Sequence, residues 1–371
     1  MRARELGIVI GRLETGLHDA ITDVPGVRVG FATLIDEVGA GRGPIHTGVT
    51  VILPHEGNIW KEPLFAGCHS LNGNGEMTGL EWVRESGMLM SPIAITNTHS
   101  VGVVRDALVS DAIAHHSAED IFWALPVVAE TYDGLLNDIN GLHVKPEHVA
   151  QAIENAASGP VAEGNVGGGT GMICHDFKGG TGTASRVVPA ASGGYTVGVL
   201  VQANHGRRER LQINGVPVGE AIPHAEVPVP EPPLPGQRGT GSIIAVVATN
   251  APLIPTQCAR LAQRVSLGIA RTGGVGEHTS GDIFIAFSTA NRGLPASEYG
   301  DVEPLTVPLT MLSNSYITDL FDAVVEATEE AIVNALLAGQ TMSGNYGVTA
   351  YGLEPERLVE VMRRYGRISR E

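Results

Sequence analysis

Basic residues are scarce in this chain. Lys and Arg together number 24 against 40 Asp and Glu, leaving a formal net charge of −16. Contact with nucleic-acid phosphates requires a basic surface, so that class of partner is excluded, and acidic patches able to welcome a cation are expected instead. Cysteine is rarer still: Cys68, Cys174 and Cys258 are odd in number, widely spaced and without a CxxC pair. They read as reduced core residues of a cytoplasmic protein. No apolar run approaches the ~18 residues needed to cross a bilayer, and the stretch 7–11 is too short for a signal-peptide core, so no membrane partner is expected. Several catalytic signatures are missing as well. There is no GxSxG elbow, no HExxH and no Gly-Lys-Ser/Thr after a glycine-rich stretch, which excludes the P-loop and leaves a Ser-His-Asp triad without its usual anchor.

What is present is apolar and rich in glycine. Hydrophobic residues make up 43% of the 371 positions and charged residues 17%, with 48 glycines. Much of the chain must therefore be buried, with many tight turns and close backbone approaches. Strand-like runs fall at 27–34, 49–53, 93–97, 196–202, 242–249 and 283–287, several of them apolar on both faces, as in a sheet covered on both sides. Helical patterns occupy 104–116, a segment opened by Pro146, another opened by Pro255, a long stretch over 320–337 that Gly339 could end, and 354–365. The strands after the proline-rich segment are as apolar as those before it. One α/β core built from both halves of residues 1–371 is predicted, with no internal repeat.

The junction in the middle is the most informative local feature. Six prolines (Pro223, Pro228, Pro230, Pro232, Pro233, Pro235) precede a glycine-rich 236–241, and Ser242 then opens the apolar run 243–249. A stiff linker thus delivers a Gly241-Ser242 bond to the first residue of a core strand. Gly241 has no side chain to obstruct attack by the Ser242 hydroxyl on the preceding carbonyl. Scission would expose a new N-terminus carrying both a nucleophile and an amine able to act as its base. A surface loop running into a strand has the same local appearance.

Other clusters have the same double reading. Ser280 and Asp282, two apart at the start of a strand, share one face and could form a hydroxyl–carboxylate relay; Ser, Gly and Asp are also ordinary turn residues. Glu130 follows the apolar 125–129 and could receive a substrate ammonium, or be one of several acids in a loop. Asn204 ends a strand with an amide able to donate to an oxyanion, or to form a turn. The glycine-rich 164–171 and 179–183 read as tight turns or as a backbone wall against a small substrate. Thirteen histidines include His46, His69, His99, His175 and His205 in Gly- or Ser-rich loops, where they could line a pocket, but none has a spacing that specifies a metal site.

Taken together, the segments 21–27, 96–102, 130–134, 201–204, 241–244 and 280–283 resemble the self-cleaving aminopeptidases that include the L-aminopeptidase/D-amidase-esterases and the β-peptidyl aminopeptidases. The likeness runs over nearly the whole chain. It implies a four-layer αββα sandwich similar to the N-terminal-nucleophile hydrolases but with different connectivity. It also implies scission before Ser242 into an α piece (1–241) and a β piece (242–371), retained as one unit that assembles into a homo-oligomer, a tetramer of αβ units. By the same match, Ser242 is the nucleophile, Ser280 and Asp282 its support, Asn204 the oxyanion donor and Tyr132 a neighbour of the nucleophile. Glu130 and Asn97 would bind a small peptide, amide or ester with a free amine, and no metal or organic cofactor is expected. Acyl transfer on a related sandwich, or binding of a small ligand by an uncut chain, are the alternatives.

Overall fold

In the computed structural model, residues 1–37, 43–117, 122–231, 241–296 and 304–368 are described. The junction residues 232–240, including Pro232, Pro233 and Pro235, lie outside them. Two sheets dominate. Strands β1 (Arg28–Asp36), β2 (Ile45–Leu53), β5 (Ile93–Asn97) and β6 (Val127–Thr131) form a four-stranded sheet in that order. The second sheet has six strands in the order β4-β3-β12-β11-β10-β9. These are β3 (Leu64–Ser70), β4 (Met88–Leu89), β9 (Gly180–Val187), β10 (Thr196–Asn204), β11 (Ser242–Thr249) and β12 (Gly281–Ser288). Two short hairpins complete the strands, β7 (Ile173–Cys174) with β8 (Phe177–Lys178) and β13 (Met342–Ser343) with β14 (Thr349–Ala350).

Helices α2 (Val101–Ala114) and α3 (Pro146–Glu154) cover the four-stranded sheet, while α5 (Pro255–Arg271) and α6 (Ile317–Ala338) cover the six-stranded one. The result is the four-layer αββα sandwich. Shorter helices α1 (Leu80–Ser86) and α4 (Val218–Ala221) and the late helix α7 (Pro355–Arg364) lie around it. Pro146 and Pro255 open α3 and α5 at the first helical position, where a missing N–H costs nothing. No described helix is long and apolar enough to cross a membrane.

Strand β11 shows why its sequence is apolar throughout. Ile244, Val246 and Ala248 join the core shared with Val49, Val51 and Ile95 of the opposite sheet. The alternate residues Ile243, Ala245 and Val247 pack with Leu261 and Val265 of α5 and Ala331 of α6. Both faces are covered, and each large aliphatic side chain buried this way contributes about 1.5–3 kcal/mol. The first residue of this strand is consequently held by a segment anchored on both faces.

Tertiary packing decides three local features. The glycine-rich 179–183 is mostly strand rather than turn: Gly180–Val187 is edge strand β9. Its glycines reflect close packing: a Cβ on Gly182 would lie 2.0 Å from the Ala331 carbonyl oxygen of α6, and one on Gly180 would lie 2.3 Å from the Gly164 carbonyl oxygen. Glu130 lies within β6, paired opposite Thr96, and not in a loop. Helix α6 is buried nearly all round, including Glu326, Glu329 and Glu330. Two of these acids meet Arg186 of β9, which is fully buried. Its guanidinium reaches Glu326 at 3.1 Å, Glu330, and Asp19 at 3.6 Å, and donates to the Ile10 and Ser185 carbonyls at 2.7 Å each. Gly339 does end α6, though with φ −68° rather than in the left-handed conformation.

Candidate active site

Register brings Ser242, Asn204, Ser280 and Asp282 together at one end of the six-stranded sheet. Ser242 pairs with Asn204 across the antiparallel β10–β11 ladder and with Gly281 across the parallel β11–β12 ladder. The Gly281 N–H donates to Ser242 Oγ at 3.1 Å, leaving the hydroxyl proton free for another partner. Ser280 Oγ donates to Asp282 Oδ1 at 2.6 Å, and the same oxygen accepts the Ile243 N–H at 3.1 Å. The Ser280 hydroxyl and the Asp282 carboxylate are thus hydrogen bonded to each other, and the carboxylate is tied to the backbone of the residue after Ser242. Burial raises the Asp282 pKa above the ordinary carboxylate range, against the opposing pull of its hydrogen bonds from Ser280, Ile243 and Asn72.

Asn204 is oriented without ambiguity. Its Oδ1 accepts the Ile173 N–H at 2.8 Å and its Nδ2 donates to the Tyr132 carbonyl at 3.0 Å, so the amide can face only one way. One Nδ2 proton remains. Gly241 passes so close to this strand end that a Cβ would lie 2.4 Å from the Asn204 carbonyl oxygen, which explains why glycine precedes Ser242.

Glu130 is only 3% exposed. Its Oε1 accepts the Glu76 N–H at 3.0 Å and its Oε2 accepts from Thr98 Oγ1. No ion pair among the described residues involves it, and burial pushes its pKa up. A buried carboxylate with polar partners but no cation is suited to receive one. It lines a cleft of about 530 Å³ together with Ser242, Gly241, Tyr132, Thr98 and the 73–76 loop. A second recess, of about 70 Å³, lies beside it and is bounded by Asn204, Gly241, Ser280 and Asp282. Tyr132 borders both and is partly exposed, with its hydroxyl pKa raised by burial.

Asn97 sits elsewhere. It is buried, donates from Nδ2 to Thr47 Oγ1 at 2.8 Å, and does not line the cleft. It neighbours Asp133, whose full burial moves its carboxyl up to about 7. Residues not singled out from the sequence also shape the site. Asn72 accepts the Asp282 N–H at 2.7 Å, and a Cβ on Gly281 would lie 2.5 Å from Gly75 Cα. The Asn72-Gly73-Asn74-Gly75 run was the available signal, a turn pair repeated between apolar segments.

Known proteins share this architecture. Residues 19–350 match the model of peptidase family S58. The chain is 47% identical to β-peptidyl aminopeptidase BapA of Sphingosinicella microcystinivorans over 99% of its own length and 93% of that protein. A solved β-aminopeptidase from a Burkholderia species superposes with a TM-score of 0.93 at 55% identity, each chain fully covered. The L-aminopeptidase D-Ala-esterase/amidase of Ochrobactrum anthropi, described as a prototype of the serine aminopeptidases and a new variant of the Ntn hydrolase fold, gives 0.89 at 44% identity, with 99% of each chain covered. The αββα layers, the strand order that joins both halves and these likenesses agree: the chain belongs to peptidase family S58, as a hydrolase of the aminopeptidase type with that Ntn-variant fold.

Proposed function

We propose that the protein is a self-processing serine aminopeptidase that removes the N-terminal residue from short peptides, amides or esters, with β-amino-acid residues as its leading substrate class. The observation that carries this reading is one cleft bordered by both Ser242 and the unpaired carboxylate of Glu130. The similar proteins described as acting on β-peptides support the substrate class.

In maturation, the Ser242 hydroxyl attacks the Gly241 carbonyl, the peptide bond passes to an ester, and water opens the ester. In turnover, the same oxygen attacks the carbonyl of the substrate's first residue, expelling the amine and leaving an acyl-enzyme that water hydrolyses. The freed α-amine of Ser242, with a reference pKa near ~8, is suited to act as base. The Ser280–Asp282 pair orients this centre, the remaining Nδ2 proton of Asn204 meets the tetrahedral oxyanion, and Glu130 holds the substrate ammonium. The last contact restricts action to chain ends.

The direct test is a denaturing intact-mass spectrum with an assay on a β-alanyl anilide. Species of about 25 and about 14 kDa are expected from the 38.8 kDa chain. One uncut species without turnover would overturn the reading.

Two narrower outcomes follow from the geometry. Asn204→Ala is expected to slow scission and turnover about 10²–10³-fold, the usual effect of removing one oxyanion donor; a densitometric scission rate within threefold of the parent would remove Asn204 from that role. The raised Glu130 pKa gives kcat/KM an acid limb. The carboxylate must be charged to hold the amine, so kcat/KM rises with pH through a midpoint above the ordinary Glu value of about 4.3. Glu130→Gln should abolish that limb and raise KM far more than it lowers kcat. An unchanged pH profile in this variant would assign the limb to another group.

A further inference from the structure

The hairpin β7–β8 turns through His175 and Asp176, both at positive φ (48° and 59°). Two successive residues of this kind match the two-residue type I′ turn, a position that ordinarily selects Asn-Gly. Histidine is a disfavoured choice there, and its ring is fully buried rather than solvated. Its Nδ1 lies 3.2 Å from the Arg207 carbonyl oxygen. A carbonyl only accepts, so Nδ1 carries the proton and Nε2 presents a bare lone pair. That Nε2 is buried and has no partner, and the same is true of Nε2 of His205, which is 5% exposed.

Cys174 completes the group. Its Sγ lies 3.8 Å from His205 Nδ1, and one ligand atom from each of the three residues falls within 4.8 Å of the other two. A tetrahedral ion with Zn–S near ≈ 2.3 Å and Zn–N near ≈ 2.05 Å sets sulfur–nitrogen separations of about 3.6 Å. Side-chain adjustments of about 1 Å or less would close the group on such an ion. A thiolate and two imidazoles form a donor set for soft or borderline cations, and the carbonyl behind His175 Nδ1 is the usual second support of a ligating imidazole. His205 also borders the smaller recess beside Gly241, the side from which an ion would enter.

We infer that Cys174, His175 and His205 form a site for one d10 cation of the zinc(II) or copper(I) type. On binding, a Cys174 Sγ–metal bond replaces the S–H bond and the proton passes to solvent. The metal must displace that thiol proton to bind the sulfur. The ion takes no part in the peptidase steps. Cys174 follows Ile173, whose N–H holds Asn204, and His205 follows Asn204 itself, so the ion clips together the two segments that aim the oxyanion donor.

The test uses the full-length protein stripped with a chelator. Titration with zinc(II) by calorimetry, cobalt(II) by absorption and copper(I) by competition with a chromophoric chelator should each show one equivalent per chain. Cobalt should produce a thiolate charge-transfer band, and zinc should raise Tm and slow amide exchange over 173–175 and 204–206. Cys174→Ser should remove the cobalt band. His175→Asn, which suits the left-handed turn and so preserves the fold, should weaken zinc by at least about tenfold. Uptake of neither zinc nor copper, or uptake unchanged in both variants as at the more exposed group of Asp176, Glu209 and His224, would overturn the assignment.

Discussion

Ser242→Ala is expected to yield a single uncut species of 38.8 kDa with no measurable aminopeptidase activity. The substitution removes one oxygen, whose recorded hydrogen bond is the 3.1 Å contact from the Gly281 N–H. The eight-residue strand that carries it is buried on both faces and is otherwise unchanged. Folding should therefore be retained, with Tm close to that of the parent. Both steps proposed for the serine depend on the same oxygen, so scission and turnover should disappear together, turnover by at least about 10⁴-fold. Mass spectrometry, a thermal melt and an anilide assay on one preparation separate loss of chemistry from loss of fold. Continued scission in this variant would refute Ser242 as the nucleophile.

The second large effect concerns stability. Arg186 is fully buried between β9 and α6, where it faces Glu326, Glu330 and Asp19. Arg186→Met keeps most of the volume but leaves these carboxylates without their common counter-charge. Breaking a buried ion pair by removing one partner costs about 3–5 kcal/mol, enough to unfold many domains. The pH dependence distinguishes this cause from poor packing. Asp19 is already raised to about 7, first by burial and then by Glu330. A carboxyl raised on folding binds more protons in the folded than in the unfolded state, so its contribution to stability falls as pH rises from about 4 to about 7. Arg186→Met should strengthen that trend, with its deficit larger at pH 8 than at pH 5 in urea melts. A deficit equal at both pH values would assign the loss to packing instead.

Much of the site could be read in the sequence because its signals are local. A proline-rich linker meeting an apolar run located Ser242, and the two-residue spacing of Ser280 and Asp282 placed them on one face, where they hydrogen bond. Pro146 and Pro255 marked two helix starts for a similarly local reason. What escaped depends on distant contacts. Gly182 of β9 is a glycine because α6 approaches it, and nothing within 179–183 reports a helix more than a hundred residues away. The acids of α6 look like a solvated face until Arg186 is brought opposite. Asn97 lies in a motif that suggested substrate contact, but its amide meets Thr47 away from the cleft. Whether a strand-end side chain faces the cleft or the layer behind it is decided by packing.

The strand order has a consequence for the life of the protein after scission. In the six-stranded sheet, β11 and β12 belong to the segment after Gly241, while β3 and β4 on one side and β9 and β10 on the other belong to the segment before it. Cutting the Gly241–Ser242 bond would thus produce two polypeptides interlocked through the middle of one hydrogen-bonded sheet. Neither could leave without dismantling the sheet, so their association would be governed by an unfolding barrier rather than by a dissociation constant. Assembly would run in one direction: the continuous chain folds as a unimolecular event, whereas the separated pieces, once denatured, face a concentration-dependent encounter between one partner that lacks the two central strands and one that lacks the four flanking ones.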